Sequence, residues 1–96
     1  MTIAIGTDQI FSDYPNGPMW TGTGPRSKSK QITFSHPFPA PPQVVAAISL
    51  LDAGHERNTR VNVVCKAITT TGFTAEVSTW ADTQLAAVSI AWTAYI

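Results

Sequence analysis

From Gly72 to Trp80 the chain reads Gly-Phe-Thr-Ala-Glu-Val-Ser-Thr-Trp, and apolar residues recur at every second position. Phe73, Ala75 and Val77 share one face; Thr74, Glu76 and Ser78 share the other. This period fits a strand with one buried face and does not fit a helix. The same count puts Trp80 on the polar face. A large aromatic there has three uses: to cap a sheet edge, fill a subunit interface or offer its ring to a ligand.

The alternation recurs along the chain. Lys30 to His36 reads as extended, with Ile32 and Phe34 opposite Gln31 and Thr33. Pro37, Pro39, Pro41 and Pro42 then exclude helix and central strand alike. Gln43 to Leu51 is apolar and β-branched, and reads as a strand buried on both faces or at an interface. Asp52-Ala53-Gly54-His55 makes a turn, and Arg60 to Thr69 alternates again. Leu85 to Ile96 supplies the last strand, with Val88, Ile90 and Trp92 opposite Ser89, Ala91 and Thr93. The start of the chain is rich in Gly and Pro turn signals, so 1–29 reads as a loop-rich segment with a short extended piece at Gln9 to Ser12. The prediction is one domain over 1–96, all-β, with an antiparallel sandwich core over 30–96.

Six basic and six acidic residues cancel in a chain that is only 12% charged. That disfavours nucleic acid and anionic membrane surfaces as partners. No apolar run reaches spanning length, so no membrane insertion is expected, and Met1 to Gly6 lacks the features of a signal peptide. The single cysteine, Cys65, forms no internal disulfide and shares its phase with Val61 and Val63, which predicts a buried thiol. No cluster has metal-ligand spacing, and no cofactor motif or catalytic constellation is present, so neither metal, cofactor nor enzymatic activity is expected. A chain this short hides roughly two-thirds of its unfolded surface, and oligomerisation would hide more.

A few side chains point away from this core. Arg60 is in phase with Asn62, Val64 and Lys66, opposite the apolar Val61 and Val63. Its fork of donors suits hydroxyl and carboxylate oxygens, although a solvated surface arginine is the plainer reading. Arg26, Lys28 and Lys30 form a basic stripe. Such a stripe could meet an anionic glycan, but a charged edge that discourages strand pairing is favoured. Asp82, in Trp80-Ala81-Asp82-Thr83, suits an Asx-turn. His36 and His55 read as solvent-facing.

Taken in order, several pieces resemble the H-type lectin domain family. They are Ile32-Thr33-Phe34-Ser35-His36-Pro37-Phe38, Pro41-Pro42 leading into Val44-Val45, Leu51-Asp52, Asn58-Thr59-Arg60-Val61, Thr71-Gly72-Phe73, Thr79-Trp80-Ala81-Asp82-Thr83 and Val88-Ser89-Ile90-Ala91-Trp92. The resemblance implies a six-stranded antiparallel β-sandwich assembled as a parallel homotrimer. It implies a secreted, cell-surface or virion-associated lectin, acting in glycan recognition and cell adhesion. Its partners would be glycans or glycoconjugates of galactose or N-acetylgalactosamine type, held in shallow sites between subunits. Arg60 would donate to sugar hydroxyls and Trp80 would form the apolar wall. Thr23 stands where relatives carry an aspartate, Ala81 where a polar residue is common and Ala86 where a tyrosine is common. The candidate ligand-binding set is therefore Arg60, Trp80, Thr23, Gly24, Ala81 and Asp82. The competing reading is a structural trimer in a virion fibre, spike or surface assembly, with a vestigial sugar site.

Overall fold

In a computed structural model describing residues 1–96, the alternating runs become six strands. These are β1 (Ile3–Ser12), β2 (Arg26–Thr33), β3 (Gln43–Ala53), β4 (Asn62–Lys66), β5 (Gly72–Thr79) and β6 (Leu85–Tyr95), with one helical turn, α1 (Pro18–Thr21), after β1. Every pairing is antiparallel; one sheet runs β1-β6-β3 and the other β2-β5-β4. This is the six-stranded antiparallel sandwich that the resemblance implied.

The central strands β5 and β6 carry the cleanest alternation because their inward residues meet the opposite sheet. Phe73, Ala75, Val77, Val88, Ile90 and Ala94 are all fully buried. Toward one end Phe34, Phe38, Phe73 and Trp92 interlock, with ring centroids 5.0 to 5.9 Å apart. Toward the other, Ile10, Phe11, Met19 and Leu85 fill the core. Truncating a fully buried aromatic such as Phe73 to Ala costs about 3–5 kcal/mol.

The N-terminal expectation needs correction. Residues 1–29 are not mainly loop: β1 is ten residues long. Its pattern was hidden because its inward positions are Ala4, Gly6 and Asp8, while Ile3 and Ile5 point outward. Gly6 is required by packing. A Cβ there would lie 2.5 Å from Trp92 Cζ2. Asp8 is tolerated inside because it is paired twice. Trp92 Nε1–H donates to its Oδ2 at 2.8 Å, and Lys30 Nζ lies 3.1 Å from its Oδ1. The Trp92 hydrogen bond, helped by Lys30 and opposed by partial burial, holds the Asp8 carboxyl below the ordinary aspartate range.

The basic stripe belongs to this same edge. Arg26, Lys28 and Lys30 stand opposite Thr79, Val77 and Ala75, on the inward side of β2. Lys30 reaches Asp8 and Lys28 Nζ lies 3.7 Å from Asp13 Oδ1, so ion pairs bridge the two sheets along their open side. Inward charges on an edge strand oppose pairing with another chain.

Three further expectations change. Gln43–Leu51 lies within β3, which extends to Ala53, but it is not buried on both faces of the protomer. Val45 and Leu50 are 58% and 46% exposed on its outer side. The alternating run 60–69 yields only the five residues of β4 before Ala67, at φ 52°, turns the chain. Cys65 does point inward but is only half-buried, because β4 is an edge strand. Burial still pushes its thiol pKa up. His36 and His55 are exposed, as expected.

Candidate functional site

Beyond the end of β5 the chain leaves the sheet at Trp80, whose indole stays 46% exposed. β4 and β5 pair as Asn62↔Ser78, and two further residues in that register set Arg60 opposite Trp80. A side-chain bond fixes the approach: the Thr79 hydroxyl donates to the Arg60 carbonyl. The two residues that alternation put outside the core are thus neighbours across the strand ends.

Arg60 is held without being used up. Its Nη1 donates to Asp82 Oδ1 at 3.0 Å and to Thr83 Oγ1 at 3.1 Å. Its side chain remains about a quarter exposed, and its Nε and Nη2 groups have no partner within the chain. Asp82 also sits 3.7 Å from Arg57 Nε, so its carboxylate is shared by two guanidinium groups. This makes Asp82 a positioning residue for Arg60. Thr83, which sequence reasoning did not single out, is 1% exposed and donates to the Asn58 carbonyl at 2.6 Å while accepting from Arg60.

The loops around Trp80 are clamped by Arg26. Its Nε donates to Gly24 O, Nη1 to Pro18 O and Met19 O, and Nη2 to Ala81 O and Thr83 O, all at 2.9 to 3.2 Å. All five N–H groups of the guanidinium are spent on backbone carbonyls. Arg26 therefore ties α1, the loop before β2 and the loop after β5 into one unit, and has no donor left for a ligand. Gly24, at φ +75°, adds an N–H bond of 2.8 Å to the Ala81 carbonyl. Ala81 itself takes φ 57°. Both backbone groups of Gly24 and the Ala81 carbonyl are satisfied internally, and Thr23 is the outward polar side chain of its loop.

Of the six candidate residues, Trp80, Thr23 and Asp82 expose their side chains, Arg60 is about a quarter exposed with Asp82 bonded to it, and Gly24 and Ala81 join their two loops through the backbone. Ala86 is only 4% exposed, and its carbonyl accepts from Asp13 and Tyr14 N–H groups, so it adds nothing to this surface. A shallow groove of about 400 Å³ adjoins Trp80, lined by Pro25, Arg26, Ser27, Glu76, Ser78 and Thr79. Glu76 and Ser78 were in phase with Trp80 in the sequence, and that shared phase was the signal for them. No three His, Cys, Asp or Glu side chains converge as a metal site would require.

The domain is similar in sequence and in shape to known proteins. It is 39% identical over 90 residues to a protein of Fuscovulum blasticum described as "ATP synthase subunits region ORF 7", an alignment covering 93% of this chain and 78% of that one. Its fold superposes on discoidin II of Dictyostelium discoideum with a TM-score of 0.86 in both the recombinant and the wild-type structures, at 22% identity. Those matches cover 97% of this chain but only 36% and 35% of discoidin II, so the chain spans about a third of that protein. The profile of the H-type lectin domain matches residues 29–95. The pieces from Ile32 to Trp92 that suggested this family thus lie within a match over most of the sandwich, and the chain belongs to the H-type lectin domain family.

Proposed function

We propose that this domain binds glycans, with Arg60 donating hydrogen bonds and Trp80 stacking its ring on the sugar. Membership of a lectin family makes carbohydrate binding the general function. The observation that carries the site is an exposed indole at the end of β5, on a loop tied down by Arg26, with the Arg60 backbone held to the adjacent Thr79 and two of its guanidinium nitrogens unpaired within the chain. Preorganised loops lower the ordering cost of binding. Thr23 supplies a hydroxyl that both donates and accepts, and galactose or N-acetylgalactosamine is the sugar type that the family favours. Arg26, Lys28 and Lys30 are all paired within the chain, which disfavours an acidic sugar.

The proposal includes a parallel homotrimer with sites at subunit boundaries. What supports association is the outer face of the β1-β6-β3 sheet. Ile3, Ile5, Val45 and Leu50 are exposed there around the small residues Ala87 and Ala91, and no charged side chain interrupts them until Asp52 at the sheet end. Of the alanines in β6, Ala87 and Ala91 face out, whereas Ala86 and Ala94 are buried in the core. Exposed apolar side chains grouped in this way support association, with Thr7, Gln9, Ser89 and Thr93 on the same face. Single-site affinity on the order of millimolar, about 4 kcal/mol, would be multiplied by three sites acting together.

The second reading, a structural trimer in a fibre or surface assembly, rests on Thr23, which leaves this loop without a carboxylate acceptor. A glycan array on the assembled protein separates the two, with Trp80→Ala beside it. The lectin reading expects discrete hits that Trp80→Ala loses while remaining folded. A trimer that binds nothing on the array would favour the structural reading.

A further inference from the structure

The outward face of the β2-β5-β4 sheet differs in kind from the other sheet. Across β2 and β5 the outward pairs are Ser27↔Ser78, Ser29↔Glu76 and Gln31↔Thr74, and Asn62 stands beside Ser78 on β4. Most of it is hydroxyl and amide groups, with Trp80 at one end and one carboxylate, Glu76, along the groove, while Val64 and Lys66 face out on β4 beside Glu76 and Thr74. Lys66 Nζ bonds Glu76 Oε2, while Oε1 has no partner within the chain. The Glu76 side chain remains about a quarter exposed.

Trp80 and Glu76 are four residues apart on one face, about 13 Å at ~3.3 Å per residue. That backbone span is longer than one sugar ring, so a ring stacked on the indole leaves the Glu76 end of the shared groove open to a second unit. We infer that the binding site runs along β5 and takes a neutral saccharide of at least two units, the first on Trp80 and the second donating hydroxyls to Glu76. The inference rests on the lectin reading of Trp80 and adds chain length and charge selectivity to it.

The groove chemistry supports both additions. A carboxylate accepts from hydroxyl pairs and gives the stronger, charge-assisted hydrogen bonds. Ser27 and Ser78 lie between the two ends and can each donate and accept. Arg26 lines the same groove, but its five donors are spent on carbonyls, and Lys66, the cation beside Glu76, is engaged with Oε2, which leaves Oε1 to accept from a neutral ligand. Thr23 lacks the acid expected in the N-terminal loop; Glu76 supplies one from the sheet instead.

The test compares the parent, Glu76→Ala, Glu76→Gln, Lys66→Met and Trp80→Ala on an array of neutral and sialylated glycans. Titrations of the best-bound disaccharide and of its terminal monosaccharide follow. Glu76→Ala should weaken the disaccharide at least about tenfold, the scale of a lost charged hydrogen bond, and leave the monosaccharide unchanged. Glu76→Gln should fall between and improve binding of sialylated glycans. Lys66→Met should keep the disaccharide preference, which separates loss of the carboxylate from loss of its ion pair. Equal affinity of parent and Glu76→Ala for the disaccharide, with Trp80→Ala inactive, overturns this inference and spares the lectin reading. Sialylated glycans as the best ligands of the parent do the same. Binding that survives Trp80→Ala, or a parent that binds no glycan, overturns both.

Discussion

Arg26→Lys keeps the charge and removes the clamp. Five N–H donors hold carbonyls of Pro18, Met19, Gly24, Ala81 and Thr83. The bonds to Pro18 and Ala81 are exposed, so water replaces them at little cost. The bonds to Gly24, Met19 and Thr83 are partly buried and are worth about 1 kcal/mol each. Lysine, with donors radiating from one point, recovers about one of them. The net loss is about 2 kcal/mol, or roughly 8–16 °C in Tm for a domain of this size. Thermal unfolding followed by circular dichroism, at matched protein concentration because association shifts Tm, measures it. Glycan binding should fall as well, because the loop carrying Trp80 loses its tether. A lysine variant melting within about 2 °C of the parent would refute the clamp and return Arg26 to the role of a surface charge.

Other substitutions test the packing around Trp92. Gly6→Val puts side-chain atoms where the Trp92 indole lies and should cost at least about 1–3 kcal/mol in urea unfolding. Asp8→Asn weakens the acceptor for the Trp92 indole and removes the Lys30 partner, with a loss of about 1–2 kcal/mol at neutral pH. Because the folded-state pKa of Asp8 is lowered, its stabilisation is present above the unfolded value near 3.9 and disappears as pH falls through the lower folded value. The stability gap between parent and Asp8→Asn should therefore close on acidification below about pH 4, and a pH-independent gap would contradict the assignment. Trp80→Ala should leave the urea midpoint nearly unchanged, since the indole projects from the strand end and is 46% exposed.

The strands that could be read from the residues are those whose inward positions are large and apolar. β5 and β6 announce themselves through Phe73, Val77, Val88, Ile90 and Trp92, and the outward phase of Trp80 follows from the same count. β1 could not be seen this way. Its inward residues are Ala4, Gly6 and Asp8, small to admit the Trp92 ring or charged to bind it, so the hydrophobic signal lies on the wrong face. Alternation placed Arg26, Lys28 and Lys30 on one side of a strand, but their partners are distant. Two are carboxylates on or just after β1, and the rest are backbone carbonyls scattered from Pro18 to Thr83. Backbone carbonyls carry no side-chain signature, so no spacing rule reveals a clamp. Glu76 had a signal in its shared phase with Trp80, but only the groove between them gives that phase a meaning.

The central claim is that a glycan meets this domain at Trp80 beside Arg60. The chain has three tryptophans, Trp20, Trp80 and Trp92, so its indole N–H groups give three resonances in a nitrogen–proton correlation spectrum. Trp92 is 7% exposed and bonded to Asp8, which makes it an internal reference. Titration with the best-bound neutral glycan should move the Trp80 indole and the Arg60 side-chain signal together and leave Trp92 in place. Movement confined to Trp20, or saturating binding with Trp80 unmoved, would contradict the account.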